Sequence, residues 1–237
     1  MIDEKLTAIA DNMAALYTAG QQAEYDRFWD AFQKNGTLTN YTHAFAGVTW
    51  TEETMQPKHP VKVVGWCERM FFKNQCSTLL ARDKFDFSQM TDCNYLFAES
   101  MFHSIDYLDF SGCNQLFCPF YYMPKLHTIG LLKLRADGSQ TFSADWMYTP
   151  ILENITIEGQ FGNDVSFHLC PCLSRQSIES IVNALSPTTT GKTLTLRLEA
   201  VDNAFYEPDG EGSIGSESLA WYLLCQSVPN WNIELIE

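Results

Sequence analysis

The sequence predicts an α/β fold, an irregular leucine-rich-repeat solenoid with a short N-terminal helix and a helix-and-strand C-terminal cap. The pattern Cys-Asn-x-Leu-Phe occurs at Cys93–Phe97 and returns in full at Cys113–Phe117. Apolar positions followed by short alternating strands also recur every ~20 to 26 residues, the interval of leucine-rich repeats. One such unit cannot bury its apolar side alone, so several must stack into one core.

The N-terminal segment, residues 1–60, is predicted to hold a helix with a capping or attachment role. Its apolar seam is spaced three, four and three residues apart and consists of Leu6, Ile9, Met13 and Leu16. This seam is shorter than a stable coiled coil requires. Two interpretations stay open: the helix folds back as a cap, or residues 1–20 mediate self-association or docking.

Residues 61–172 contain the predicted repeats. The apolar position is held by Leu79, Ile105, Ile129 and Ile155, and the phenylalanine position by Phe71, Phe97, Phe117 and Phe142. The accompanying strands are residues 85–87, 107–110, 131–134 and 155–157, with a degenerate copy at 165–169. Alternation within a strand places one face inward. Cys93 and Cys113 have the same place in the pattern, which predicts two small buried residues in stacked repeats.

Residues 173–237 are predicted to close the solenoid, because a solenoid end needs atypical units that cover its last repeat. Ser174 is a suitable N-cap, and the apolar residues of the following helix recur at helical spacing: Ile178, Ile181, Val182 and Leu185. A strand at 193–198 follows. A second helix at 217–226 is expected to pack Leu219, Tyr222 and Leu223 inward, before a last strand at 231–236.

The repeats resemble the irregular, BspA-like class of leucine-rich repeats. Residues 173–205 resemble the closing segment of a group of phage and prophage proteins from gut bacteria, and residues 24–36 and 43–58 are similar to their N-terminal parts. The strongest signatures are Tyr25–Trp29, Phe45–Gly47 and Ser174–Leu185. This resemblance implies a solenoid fold and a phage-associated protein. In one interpretation the protein is carried by the virion. It implies no catalytic residue.

Charge excludes one class of partner. The chain has 29 acidic and 15 basic residues and a formal net charge of −14, so its surface is unsuited to nucleic acid. The N-terminus carries acids where a signal peptide needs a basic flank, and no run reaches the roughly 18 apolar residues that span a bilayer. We therefore expect no signal peptide, no membrane insertion and a cytoplasmic location when the protein is made.

Neither a metal site nor a catalytic site is predicted. Without an oxidising compartment, the 8 cysteines are expected to be free thiols. Cys170 and Cys172 stand beside His168, but the spacing is not that of a zinc site. The 5 histidines form no Ser/His/Asp or H-E-x-x-H pattern. The acidic loop at 209–217 is more typical of a solvent-exposed loop that leads into a helix than of a calcium site. We therefore expect no enzyme activity, no cofactor and no metal.

The predicted function is non-catalytic binding of a protein or glycan through one face of the solenoid. Aromatic residues are unusually dense in two loops, and the candidate ligand-binding residues are Tyr121, Tyr122, Trp146 and Tyr148. In the competing interpretation these rings pack between repeats as ordinary core. An alternative function is a structural or assembly spacer of a virion, attached through its N-terminal helix.

Overall fold

The computed structural model describes residues 40–47, 61–79, 84–206 and 215–237, so the predicted N-terminal helix lies outside the described residues. Its strands are β1 Val61–Trp66, β2 Thr78–Leu79, β3 Phe85–Asp92, β4 Ser104–Asp109, β5 Gln115–Leu116, β6 Thr128–Lys133, β7 Thr141–Phe142, β8 Asn154–Glu158, β9 Val165–Phe167, β10 Lys192–Arg197 and β11 Trp231–Ile236. Its helices are α1 Arg175–Asn183, α2 Leu198–Ala204 and α3 Leu219–Gln226, with a 3-10 turn at Gly215–Glu217.

Every named strand pair is parallel, and neighbours in a sheet come from successive turns of the chain. The sheet orders are β1-β3, β2-β4-β6-β8, β5-β7 and β11-β10-β9. These sheets wind into a β-solenoid of about five turns with few helices. The solenoid part of the predicted fold is therefore confirmed.

The predicted apolar position is confirmed in the four-stranded sheet. Leu79 pairs with Ile105, Ile105 with Ile129, and Ile129 with Ile155, so each residue of the column comes from the next turn of the solenoid. All four side chains are buried. Parallel registry places each one directly over its predecessor, so the column forms a continuous apolar core inside the sheet.

A second column forms where the chain turns between strands. Four turn segments share a five-residue pattern, in which a central Phe lies between two residues with positive φ: 43–47, 69–73, 95–99 and 118–122. Phe45, Phe71, Phe97 and Phe120 stack with ring centroids 5.4, 5.3 and 5.7 Å apart. Backbone hydrogen bonds between successive turn segments hold these rings in register. One example is the bond from Phe71 N to the Leu96 carbonyl, at 2.8 Å. The first of these segments lies within the predicted N-terminal part of the chain.

The predicted equivalence of Cys93 with Cys113, and of Phe97 with Phe117, is wrong. Phe97 N donates to the Pro119 carbonyl, so Phe120 lies beneath Phe97, and Phe117 is 38% exposed. Met147, not Phe142, is in register with Phe120 in the next turn, and the Trp146 ring beside it packs edge-on against Phe120 at 6.3 Å. Both cysteines are buried, as predicted, but Cys113 lies before β5, whereas Cys93 directly follows β3. The two pentapeptides are similar in sequence but not equivalent in structure, because hydrogen bonding between successive turns sets the register.

Helix α1 closes the four-stranded sheet. The backbone N–H groups of Ile155 and Ile157 in β8 donate to the hydroxyls of Ser177 and Ser180, both at 2.9 Å. The serine hydroxyls thus accept the backbone hydrogen bonds of β8 that a further strand would otherwise have to accept. Ser174 caps the helix, accepting from Ser177 N, as the sequence predicts.

The orientation predicted for α3 is wrong. Trp221 is the buried residue, and its ring lies 5.3 Å from that of Phe205. Leu219, Tyr222 and Leu223 point outward, with exposed fractions of 66%, 58% and 57%. Because the helix is apolar on nearly every side, its periodicity does not identify the inner face. The bulk of Trp221 identifies the inner face of the helix instead.

Candidate functional site: the tyrosine face

Five aromatic side chains from three successive turns of the solenoid lie together on its turn edge. We call this surface the tyrosine face: Tyr95, Phe117, Tyr121, Tyr122 and Tyr148. Phe117 and Tyr121 are each 38% exposed and Tyr122 is 47% exposed, while the other two are half-buried. Most large aromatic residues of the described chain are in the core, so this cluster is a distinct surface feature.

The rings form one continuous chain of edge-to-face contacts. Tyr95 lies 5.4 Å from Phe117 and 6.1 Å from Tyr121. Tyr148 lies 5.9 Å from Tyr121 and 5.5 Å from Tyr122. The interplanar angles run from 68° to 80°, the arrangement that aromatic quadrupoles favour. Mutual packing therefore holds each ring in place before any ligand arrives.

Backbone geometry puts two of these tyrosines in an unfavourable conformation. Tyr95 and Tyr122 have φ of 52° and 51°, in the left-handed region. This region costs an L-residue roughly 1 kcal/mol or more, whereas glycine enters it freely. Gly47 occupies the place equivalent to Tyr122 in the first turn segment. The turn itself thus accepts glycine, and the fold alone does not require a tyrosine there.

Two ion-paired cations adjoin the face on its N-terminal side: Arg69, which pairs with Glu68 at 3.1 Å, and Lys73. The guanidinium of Arg69 lies 5.2 Å from the centroid of the Tyr95 ring, a cation–π distance. Lys73 packs over Phe72 at 5.0 Å and pairs with Glu99 at 3.4 Å. Loss of solvation raises the pKa of Tyr95, with Cys118 adding to it and Arg69 opposing it. A tyrosine hydroxyl is protonated at neutral pH even without this shift, so Tyr95 is uncharged there.

Three of the four predicted ligand-binding residues, Tyr121, Tyr122 and Tyr148, lie together in this face. Trp146 does not. It is fully buried, packs against Phe167 at 5.2 Å, and donates its indole N–H to the Ser166 carbonyl at 2.8 Å. Its ring packs against Phe120 at the end of the phenylalanine column, so Trp146 belongs to the core and the prediction that it lies at the surface is wrong.

The sequence does not predict Tyr95 and Phe117 as part of this face. The Cys-Asn-x-Leu-Phe equivalence predicts a core position for Phe117 and does not single out Tyr95. The missing signal was the equal spacing of Phe45, Phe71 and Phe97 along the chain. That spacing gives Tyr95 the same outward place as His43 and Arg69 in their turn segments.

The polar groups elsewhere form no recognisable catalytic arrangement in the described part of the chain. Ser166 Oγ and His168 Nδ1 are 2.6 Å apart, but Ser166 lies on β9 and His168 in the turn directly after it, and no carboxylate contacts the histidine among the described residues. Cys172 is an exposed thiol, and its pKa is raised by partial burial and by Glu199 and Glu153, which lowers its thiolate fraction. Within the same residues, no three His, Cys, Asp or Glu side chains converge as metal ligands do.

Comparisons of the chain with family models, with curated proteins and with solved structures gave no match. Across the residues described here, no helix combines the length and apolar character that crossing a membrane requires.

Proposed function

We propose that this protein is a non-catalytic binding module that recognises a protein or a glycan through the tyrosine face. The observation that carries the proposal is the continuous chain of five rings from three turns of the solenoid, three of them exposed and two half-buried. Tyrosine gives large contact area with little side-chain entropy to lose, and aromatic residues are enriched at recognition surfaces. Two of these rings are kept at backbone positions where glycine costs less.

The finer class of the protein is part of the same proposal. Stacked Leu and Ile positions, recurring once per turn of the solenoid within the interval typical of leucine-rich repeats, support an irregular repeat of the BspA-like kind. A phage or prophage origin and association with a virion are proposed from the resemblance of the sequence. They fit a module that attaches to a host-cell surface molecule.

The test is binding to gut bacterial cells and to a glycan array by the parent and by a triple variant, Tyr121→Ser, Tyr122→Ser and Tyr148→Ser. Removing three anchor rings is expected to weaken binding at least about a hundredfold. The control is Trp66→Ser, which removes a ring that is 63% exposed at the end of β1 and outside the face. It should bind as the parent does. Equal binding by parent and triple variant would refute the proposal.

A single substitution separates recognition from folding more sharply. Tyr122→Gly removes one ring but also relieves the positive φ at that residue. Its free energy of unfolding should stay within about 1 kcal/mol of the parent, because relieved backbone strain offsets the lost contact with Tyr148. Binding should nevertheless fall. If the parent binds neither cells nor glycans and copurifies with virions, the structural spacer becomes the better account.

A further inference from the structure

Helix α3 carries two apolar faces, and the solenoid covers only one of them. The inner face packs on the core through Trp221, Leu224, Cys225 and Val228. The outer face repeats the same helical spacing through Leu219, Tyr222, Leu223 and Gln226, all of them exposed. An apolar face of this kind on a surface helix is a feature of interaction sites. No described element packs over it.

Exposed carboxylates lie on the elements beside the start of this outer face, and the chain as a whole carries a net charge of −14. The 3-10 turn beside α3 also packs on α2, and Ser216 N donates to Asp202 Oδ1 at 3.0 Å. Glu199 and Glu217 are exposed on these same elements. The start of the outer face therefore lies in a negative field.

This charge decides among possible occupants. A second copy would bring an equally acidic cap, and like charges meeting across an interface oppose association. Residues 1–20 of the chain itself are also net negative, with Asp3, Glu4 and Asp11 against Lys5. We propose that the outer face of α3 docks an amphipathic helix of a partner protein, one whose apolar stripe is flanked by Lys and Arg.

The geometry fits such a helix. The eight residues of α3 extend roughly 12 Å, about two turns, which presents Leu219, Tyr222 and Leu223 as a ridge for side-by-side packing. Lysine or arginine on the partner would lie toward Glu199 and Glu217 and would speed association at low salt. The ridge is smaller than a stable interface needs, so the complex is a transient one that salt weakens.

The probe is a helical 18-residue peptide with leucine at i, i+3, i+4 and i+7 spacing and lysine at the flanking positions. A matched peptide carries glutamate at every lysine position. Titration of the full chain by calorimetry should show binding of the lysine peptide only, weakened by added salt. Leu219→Gln with Leu223→Gln should lower its affinity at least about tenfold, because two anchors are lost. Tyr121→Ser with Tyr122→Ser, in the tyrosine face, should leave it unchanged.

A second variant keeps the apolar ridge and reverses the charge beside it, Glu199→Lys with Glu217→Lys. It should lose the lysine peptide and retain the parent's melting temperature, because both side chains are exposed. Equal affinity of the leucine variant, or equal binding of the two peptides, would overturn the proposal. So would sedimentation showing a parent dimer that the leucine variant abolishes, because the occupant would then be a second copy.

Discussion

Two buried polar residues at equivalent places in the solenoid differ in whether their side chains form hydrogen bonds. Asn74 is fully buried, donates from Nδ2 to the Phe45 carbonyl at 3.2 Å and accepts from Cys76 N at 2.9 Å. It ties one turn segment to the turn before it. Ser100, one turn of the solenoid later, is buried in the same place, but its hydroxyl has no partner. The shorter side chain does not reach the groups that an asparagine would bind.

This contrast gives a matched pair of substitutions. Asn74→Ala should cost about 1 to 3 kcal/mol of unfolding free energy, because it removes two buried hydrogen bonds. Ser100→Ala should change it by less than about 0.5 kcal/mol, or raise it, because the lost hydroxyl is desolvated and unpaired. Urea unfolding of the two variants checks this. A loss for Ser100→Ala as large as that for Asn74→Ala would show that the hydroxyl has a partner.

At the scale of elements, the phenylalanine column joins successive turns. Phe97 is fully buried between Phe71 and Phe120, while Phe117 lies at the surface beside Tyr95. Phe97→Ala should therefore cost about 3 to 5 kcal/mol through the cavity that it leaves. Phe117→Ala should cost about 1 kcal/mol or less, because a partly exposed ring leaves no enclosed cavity. Denaturant unfolding of both distinguishes them, and a reversed order would mean that Phe117 lies in the column.

The same elements show what the sequence could predict. The column of Leu79, Ile105, Ile129 and Ile155 was predictable because an apolar residue opening a short alternating strand is a local pattern. The register of the turns was not, because hydrogen bonds between turns set it and the spacing of the column shortens between Phe97 and Phe120. Tyr121, Tyr122 and Tyr148 were found through composition. Trp146 has the same composition signal, and only three-dimensional stacking places it in the core.

At the scale of the whole molecule, all eight cysteines are unpaired and six are buried, spread from the first described turns to the cap. Burial raises the pKa of Cys67 and Cys93 well above the ordinary value and that of Cys170 to about 12. Cys170 lies 3.1 Å from the Thr149 hydroxyl and 3.5 Å from the Met147 carbonyl. In their protonated form Cys93 and Cys170 donate to the carbonyls of Gln115 and Met147 in adjacent turns, which makes the stability of the stack depend on pH.

The sign of that dependence follows from proton binding. An unfolded thiol ionises near pH 8.5, whereas folded Cys170 keeps its proton up to about pH 12. Between these values the folded state binds more protons, so stability is full below about pH 8.5 and falls as pH rises, by up to about 1.4 kcal/mol per pH unit for one thiol.

Urea unfolding at pH 7 and 10.5 should show this loss. Cys170→Ala should be less stable than the parent at pH 7, yet its own loss between the two pH values should be smaller than the parent's, because one such thiol is gone. Other alkaline titrations affect both proteins equally, so parallel losses would mean that Cys170 ionises in the folded protein as it does when unfolded.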